Sequence, residues 1–161
     1  GTENSGPKAA QKESFAGRAA VICDREDSEQ DALALVENIA KNLEMHLIYM
    51  NADAHDVHTA YISHISHITS YALANTVLEK EREEDTIFQL ASSGFSSTVR
   101  LAKSHPEMWV PIFKQNKENV LDVLNEHITQ LRKFKSALEK ENFELLEELI
   151  KNDNKIRGLL K

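Results

Sequence analysis

The sequence predicts a mainly α chain preceded by one small βαβ unit, the last piece of a larger doubly wound α/β domain. Three observations predict it. Two short apolar runs, "AAVIC" (19–23) and "HLIYM" (46–50), flank one amphipathic helix pattern. From residue 53 onward apolar residues recur at helical spacing. No Gly-x-Gly-x-x-Gly occurs anywhere, so the phosphate-binding turn of such a domain is not in this chain.

Residues 1–18 read as loop and polar helix. The charged turn "DRED" follows the first strand, and "SEQDALALVENIAKNLE" reads as a helix that Ser28 and Asp31 would cap. Its apolar stripe is Leu35, Val36, Ile39 and Leu43. Strand, helix and strand take about 32 residues, the size of one parallel βαβ unit. Two parallel strands need more sheet around them, so an earlier part of the domain is expected before Gly1. A chain that starts with Gly rather than Met is expected to be processed or truncated. The division falls at 51/52.

The stretch from Asp53 to Glu81 reads as one long helix, apolar on nearly every side and so buried all round. "DTIFQLA" is a short helix, "SSGFSS" a loop, and Thr98–Ser104 another short helix. Pro106 suits the first position of the next helix. The last two helices carry Val120, Leu121, Leu124, Ile128, Leu131, Phe134 and Leu138, then Leu145, Leu146, Leu149, Ile150 and Ile156. They read as an antiparallel pair with a seam. So much apolar helix in a short chain predicts burial against a second copy.

Net charge is −7, from 19 Lys+Arg against 26 Asp+Glu. That excludes nucleic acid as the main partner, because no basic excess neutralises phosphates. It argues equally against an anionic membrane surface, and no apolar run is long enough to span a bilayer. The single Cys23 lies in an apolar run, which reads as an inert buried thiol and suits a reducing cytoplasm.

Four of the seven histidines crowd into "AHDVHTAYISHISH". On an ideal helix His55 and His58 lie about 60° apart, and His64 and His67 likewise, but on roughly the opposite face. The pairs stand ~14 Å apart along the axis, so one metal ion cannot take all four. For a lone histidine, the ordinary reading is a helix residue satisfied by hydrogen bonds. In "SHISH" two serines and two histidines interrupt an apolar helix, which is costly unless they are paired or do something.

Several stretches then converge. "GTENSGP" (1–7), "HD" (55–56), "SHISH" (63–67) and "SSGFSSTVRLAKSHPEMW" (92–109) stand in order at suitable distances. Together they resemble the C-terminal half of prephenate dehydrogenase, across essentially the whole chain. The resemblance implies the end of a Rossmann-type domain followed by an all-helical dimerisation domain, with the active site in the cleft between. It implies NAD, bound by the missing N-terminal part, and a homodimer. The implied reaction is oxidative decarboxylation of prephenate to 4-hydroxyphenylpyruvate, in tyrosine biosynthesis.

By resemblance, His67 is the substrate-side histidine near the ring hydroxyl, and His64 and Ser63 are its supporting neighbours. His55 lines the cleft, Arg100 grips a substrate carboxylate, Thr2 and Glu3 border the site, and Trp109 is an aromatic near the pocket. An arginine suits a dicarboxylate, because guanidinium binds carboxylate bidentately. No catalytic, cofactor-binding or metal residue is expected in this chain. The family's catalytic histidine would lie four residues before Gly1. Ser96 and Ser97 stand where the family has Arg-Asp, and Ser66 where it has Pro. Three other readings stay open: an arogenate dehydrogenase, a non-catalytic helical dimerisation or regulatory module, and a helical metal protein.

Overall fold

The computed structural model describes residues 6–7, 10–84 and 86–159. Thr2 and Glu3 lie outside the described residues. The chain folds as two compact units, residues 1–120 and 121–161.

Strands β1 (Ala19–Cys23) and β2 (His46–Met50) pair in parallel, from Ala19 opposite His46 to Cys23 opposite Met50. Helix α1 (Gln30–Asn42) makes the crossover, as expected of βαβ. It starts later than the sequence predicts. Ser28 ends a 3-10 turn (Arg25–Asp27), and Asp31 accepts from the next residue, Ala32, so neither caps α1. The buried positions of α1 are Leu33 and Ala40. The expected stripe of Leu35, Val36, Ile39 and Leu43 is exposed, because a two-stranded sheet is too narrow to cover it.

The chain leaves α1 through a left-handed residue. Glu44 has φ 56°, Met45 N–H reaches Ala40 carbonyl at 2.9 Å, and Glu44 N–H reaches Lys41 carbonyl at 3.0 Å. This Schellman closure satisfies carbonyls that the helix end leaves open.

The end of β1 is tied to the segment after β2. The Asp24 carboxylate accepts from Ala52 N–H at 3.1 and 3.3 Å, and the Asn51 side chain caps helix α2 (Ala52–Thr59) through Ala54 N–H. α2 passes through a π turn (Ala60–His64) into α3 (Ile65–Glu84). The long helix is therefore present but not uniform. Nor is it buried all round: Ile62 is 76% exposed, and Tyr61 and Leu78 are also exposed.

"DTIFQLA" forms a 3-10 turn, Ile87–Leu90. The stretch read as the "SSGFSS" loop instead carries helix α4 (Ser93–Thr98). Ser97 and Thr98 donate their hydroxyls to the Gly94 carbonyl, so the polar side chains are satisfied within the helix that their composition argued against. A 3-10 turn, Arg100–Lys103, leads to α5 (Pro106–Gln115), with Pro106 opening it as expected.

Helix α6 (Lys117–Glu139) begins in the first unit and continues into the second, which also holds α7 (Phe143–Asp153). A second Schellman closure, through Glu141 at φ 52°, joins the two helices, and Asn142 caps α7 through Leu145 N–H at 3.0 Å. The expected seam is only partly closed. Leu146 and Leu149 are half-buried, while Leu131, Leu138, Leu145 and Ile150 are exposed.

Two local changes test these closures. Glu44→Gly should stabilise the chain by roughly 0.5–1 kcal/mol, because glycine enters the left-handed region without the Cβ penalty. Asn142→Ala should cost about 1 kcal/mol by removing a cap. Urea unfolding of each variant reads both.

Candidate active site

The polar residues that interrupt the apolar helix converge with α5. His64, His67, Ser70, Ser104 and Asn116 are buried, and so is Trp109. Pro106 fixes the start of α5, which sets Trp109 one turn in. Trp109 stacks on His67 with centroids 3.4 Å apart and planes at 26°. His64 meets Trp109 and Phe113 edge-on, at 6.1 and 6.2 Å.

The two histidines meet different kinds of partner at Nδ1. His67 Nδ1 lies 3.0 Å from the Ser63 carbonyl, which can only accept, so Nδ1 donates and Nε2 is left as the acceptor. Ser63 thus acts through its backbone. His64 Nδ1 faces the Asn116 amide nitrogen at 3.3 Å. That nitrogen also donates to the Asp56 carbonyl at 2.7 Å, and the amide oxygen accepts from Asn119 at 2.7 Å. His64 Nδ1 is therefore the acceptor. Burial pushes the His64 imidazole below the ordinary histidine range; the Asp56 carboxylate opposes, and His67 and His55 add to the lowering.

The π turn corrects the straight-helix geometry. It takes up one extra residue, so everything after it lags by about 100°. His64 then comes to about 80° from His55 rather than opposite it. The Asn116 amide nitrogen, which reaches both the Asp56 carbonyl and His64 Nδ1, agrees. His55 Nδ1 pairs with Asp56 at 3.0 Å and is half-exposed, whereas His58 is exposed. Among the described residues no three His, Cys, Asp or Glu side chains gather as a metal group would.

Arg100 is exposed on its 3-10 turn. That turn is fastened to α3 one turn beyond His67. Ser70 Oγ, 1% exposed, accepts from Ala102 N–H at 3.0 Å, and Tyr71 donates to the Ser104 carbonyl at 3.4 Å. The Trp109 indole N–H is buried and has no hydrogen-bond partner among the described residues. Such a donor costs about 1–3 kcal/mol unless something pairs with it.

Residues 1–49 match the family model described as the nucleotide-binding domain of prephenate dehydrogenase, and residues 51–152 match its dimerization domain. The chain belongs to the prephenate dehydrogenase family. Cyclohexadienyl dehydrogenase of Zymomonas mobilis is 29% identical over 162 residues, covering 100% of this chain and 55% of that protein. Prephenate dehydrogenase of Bacillus subtilis is 28% identical over 146 residues, covering 91% of this chain and 39% of that protein. The chain thus spans about half the length of the curated relatives it matches. Among solved structures, prephenate dehydrogenase of Aquifex aeolicus in complex with hydroxyphenyl propionate and NAD+ superposes with a TM-score of 0.86 at 28% identity, covering 99% of this chain and 56% of that one. Synechocystis arogenate dehydrogenase shares the fold, with a TM-score of 0.76 at 23% identity, covering 98% of this chain and 58% of that one.

In this member of the prephenate dehydrogenase family, Ser66 stands at the proline of the family pattern and donates its hydroxyl to the Ile62 carbonyl at 3.2 Å. Sequence reasoning missed Ser70 and Asn116. Ser70 could have been found as one more polar residue in the apolar helix, three positions past His67. Asn116 carried no such signal, because an asparagine between two helices reads as a cap.

The buried state of His64 has a pH consequence. Its folded pKa lies below the unfolded one, so the neutral form stabilises the fold fully above the unfolded value of about 6.5. Below that the unfolded state binds the proton first, and stability falls with pH. Thermal melts from pH 7.5 to 5 should show a drop that is shallower in His64→Gln.

Proposed function

We propose that this chain is the substrate-binding and dimerisation part of an NAD-dependent dehydrogenase that oxidatively decarboxylates prephenate to 4-hydroxyphenylpyruvate. The observation that carries the reading is the His67–Trp109 stack, built beside the turn that bears Arg100. An apolar wall, one imidazole acceptor and one guanidinium suit a ring that bears a hydroxyl and carboxylates.

In this reading Arg100 binds a carboxylate bidentately. His67 Nε2 accepts from the ring-hydroxyl end, and the unpaired Trp109 N–H donates to a substrate oxygen. His55, held by Asp56, lines the cleft. His64 and Ser63 support His67. The proton-accepting catalytic histidine belongs to the part of the whole protein outside this chain.

The residues present do not fit the nicotinamide cofactor. The βα turn after β1 carries Asp24, Glu26, Asp27 and Glu29 and no glycine. Its charge would repel phosphate. NAD is therefore assigned to the earlier part of the whole protein. The domain division is placed at 51/52. Exposed Ile62, Leu131 and Leu138 support a second copy as the cover of the helical part. No helix among the described residues is long and apolar enough to cross a membrane. The single Cys23 supports a reducing, cytoplasmic setting.

Arogenate is the second reading. It differs by an amine in place of the side-chain keto group, and Arg100 would grip the carboxylate that both substrates carry. Steady-state rates of the full-length protein on both substrates decide between them, and activity on neither would overturn the reading. In that protein, Arg100→Ala should raise KM about tenfold to a hundredfold, the size expected for a charge-assisted pair of about 1.5–3 kcal/mol. Arg100→Lys should recover only part of this. The 161-residue chain alone, given NAD and prephenate, should produce no NADH.

A further inference from the structure

Asn116 stands at the junction of α5 and α6 and is 8% exposed. A buried amide at a helix end is usually a cap, and its side chain then points to its own helix. Asn116 does otherwise. Its nitrogen reaches back 60 residues to the Asp56 carbonyl at 2.7 Å and 52 residues to His64 Nδ1 at 3.3 Å. The orientation of the amide follows from its partners. A backbone carbonyl cannot donate, so the nitrogen must face Asp56, and the oxygen then accepts from Asn119.

Both amide protons are thereby committed to the long helix, one on each side of the point where it widens. The Asp56 carbonyl lies in α2, just before the π turn, and His64 is the last residue of that turn. We propose that Asn116 is a positioning residue: its two amide protons pin the π turn and hold His64 with its proton on Nε2, and this aims the His67–Trp109 stack at the substrate. The inference rests on the proposed dehydrogenase reading for its consequence, but not for the bond itself.

The consequence runs through the ring contacts. His64 edges against Trp109, and Trp109 stacks on His67. A His64 proton on Nδ1 would point at an amide N–H, so the imidazole would turn and push the indole off His67. The titratable groups that act on His64 are Asp56 and His55 from α2 and His67 from α3; α5 presents Trp109 and Phe113, which do not titrate in the relevant range.

The test has two arms. Two-bond proton–nitrogen spectra of the chain, with ¹⁵N-labelled histidine, read the proton position of His64. At pH 7 the wild type should show Nδ1 unprotonated and Nε2 protonated. In Asn116→Asp, where a carboxylate replaces the donor, Nδ1 should become protonated. A wild-type His64 with its proton on Nδ1, or an Asp variant with an unchanged spectrum, overturns the proposal. If the Asp variant fails to fold by circular dichroism, the wild-type spectrum alone still decides the bond, and Asn116→Ala serves for kinetics.

In the full-length protein, Asn116→Ala should raise substrate KM about tenfold with kcat changed less than twofold. Asn116→Asp should in addition move the acid limb of the kcat/KM profile to higher pH. Unchanged KM and pH profile in folded variants overturn the positioning role. A wild-type protein that oxidises neither prephenate nor arogenate overturns the functional reading instead, and the spectra still decide the bond.

Discussion

Trp109 lies flat on His67 at 3.4 Å, and both are buried in a helix pair that would otherwise be plain hydrophobic core. That contact sets conditions on everything around it. A buried imidazole needs partners, and His67 Nδ1 finds one in the Ser63 carbonyl of its own helix. A buried indole needs an acceptor, and it has none among the described residues. Burial pushes the neighbouring His64 below the ordinary histidine range, and the Asn116 amide nitrogen faces its Nδ1 at 3.3 Å. The stack therefore holds only with a supporting set of polar partners, drawn from α2, α3, α5 and the start of α6.

The π turn makes those partners meet. A straight helix from Asp53 to Glu84 would turn His64 and His67 away from the His55–Asp56 pair. One extra residue in the turn at Ala60–His64 rotates them toward it. Ala60, fully buried, leaves room for the wider backbone. Arg100 is placed by a separate device, the Ser70 and Tyr71 bonds from α3 to the segment after it. The charged group and the aromatic stack are thus referred to the same helix.

How much of this was legible varies with the physics involved. The strands and α1 follow from period and length, because local pattern decides them. The Pro106 start of α5 follows from the fixed proline φ. The ordered motifs led to the family, and with it to His67, Arg100 and Trp109 as candidates. The π turn was not legible, because helical periodicity is read with a constant angle per residue. The "SSGFSS" helix was hidden by composition, since the Ser97 and Thr98 hydroxyls bond back to the Gly94 carbonyl within the helix. The α1 stripe was correctly seen as apolar, but the two-stranded sheet covers only its edge at Leu33 and Ala40. Asn116 acts across 52 and 60 residues of sequence, a distance at which one sequence carries no pairing signal.

Trp109 and Arg100 are taken to belong to one substrate surface, and everything else in the functional reading leans on that. The most direct measurement is the fluorine resonance of Trp109 in full-length protein labelled with 5-fluorotryptophan, assigned through Trp109→Phe, during titration with 4-hydroxyphenylpropionate. A shared surface predicts a saturable shift of that resonance, with the midpoint moved at least tenfold higher in Arg100→Ala. A resonance that stays in place at saturating ligand, or a midpoint that Arg100→Ala leaves unchanged, would contradict it.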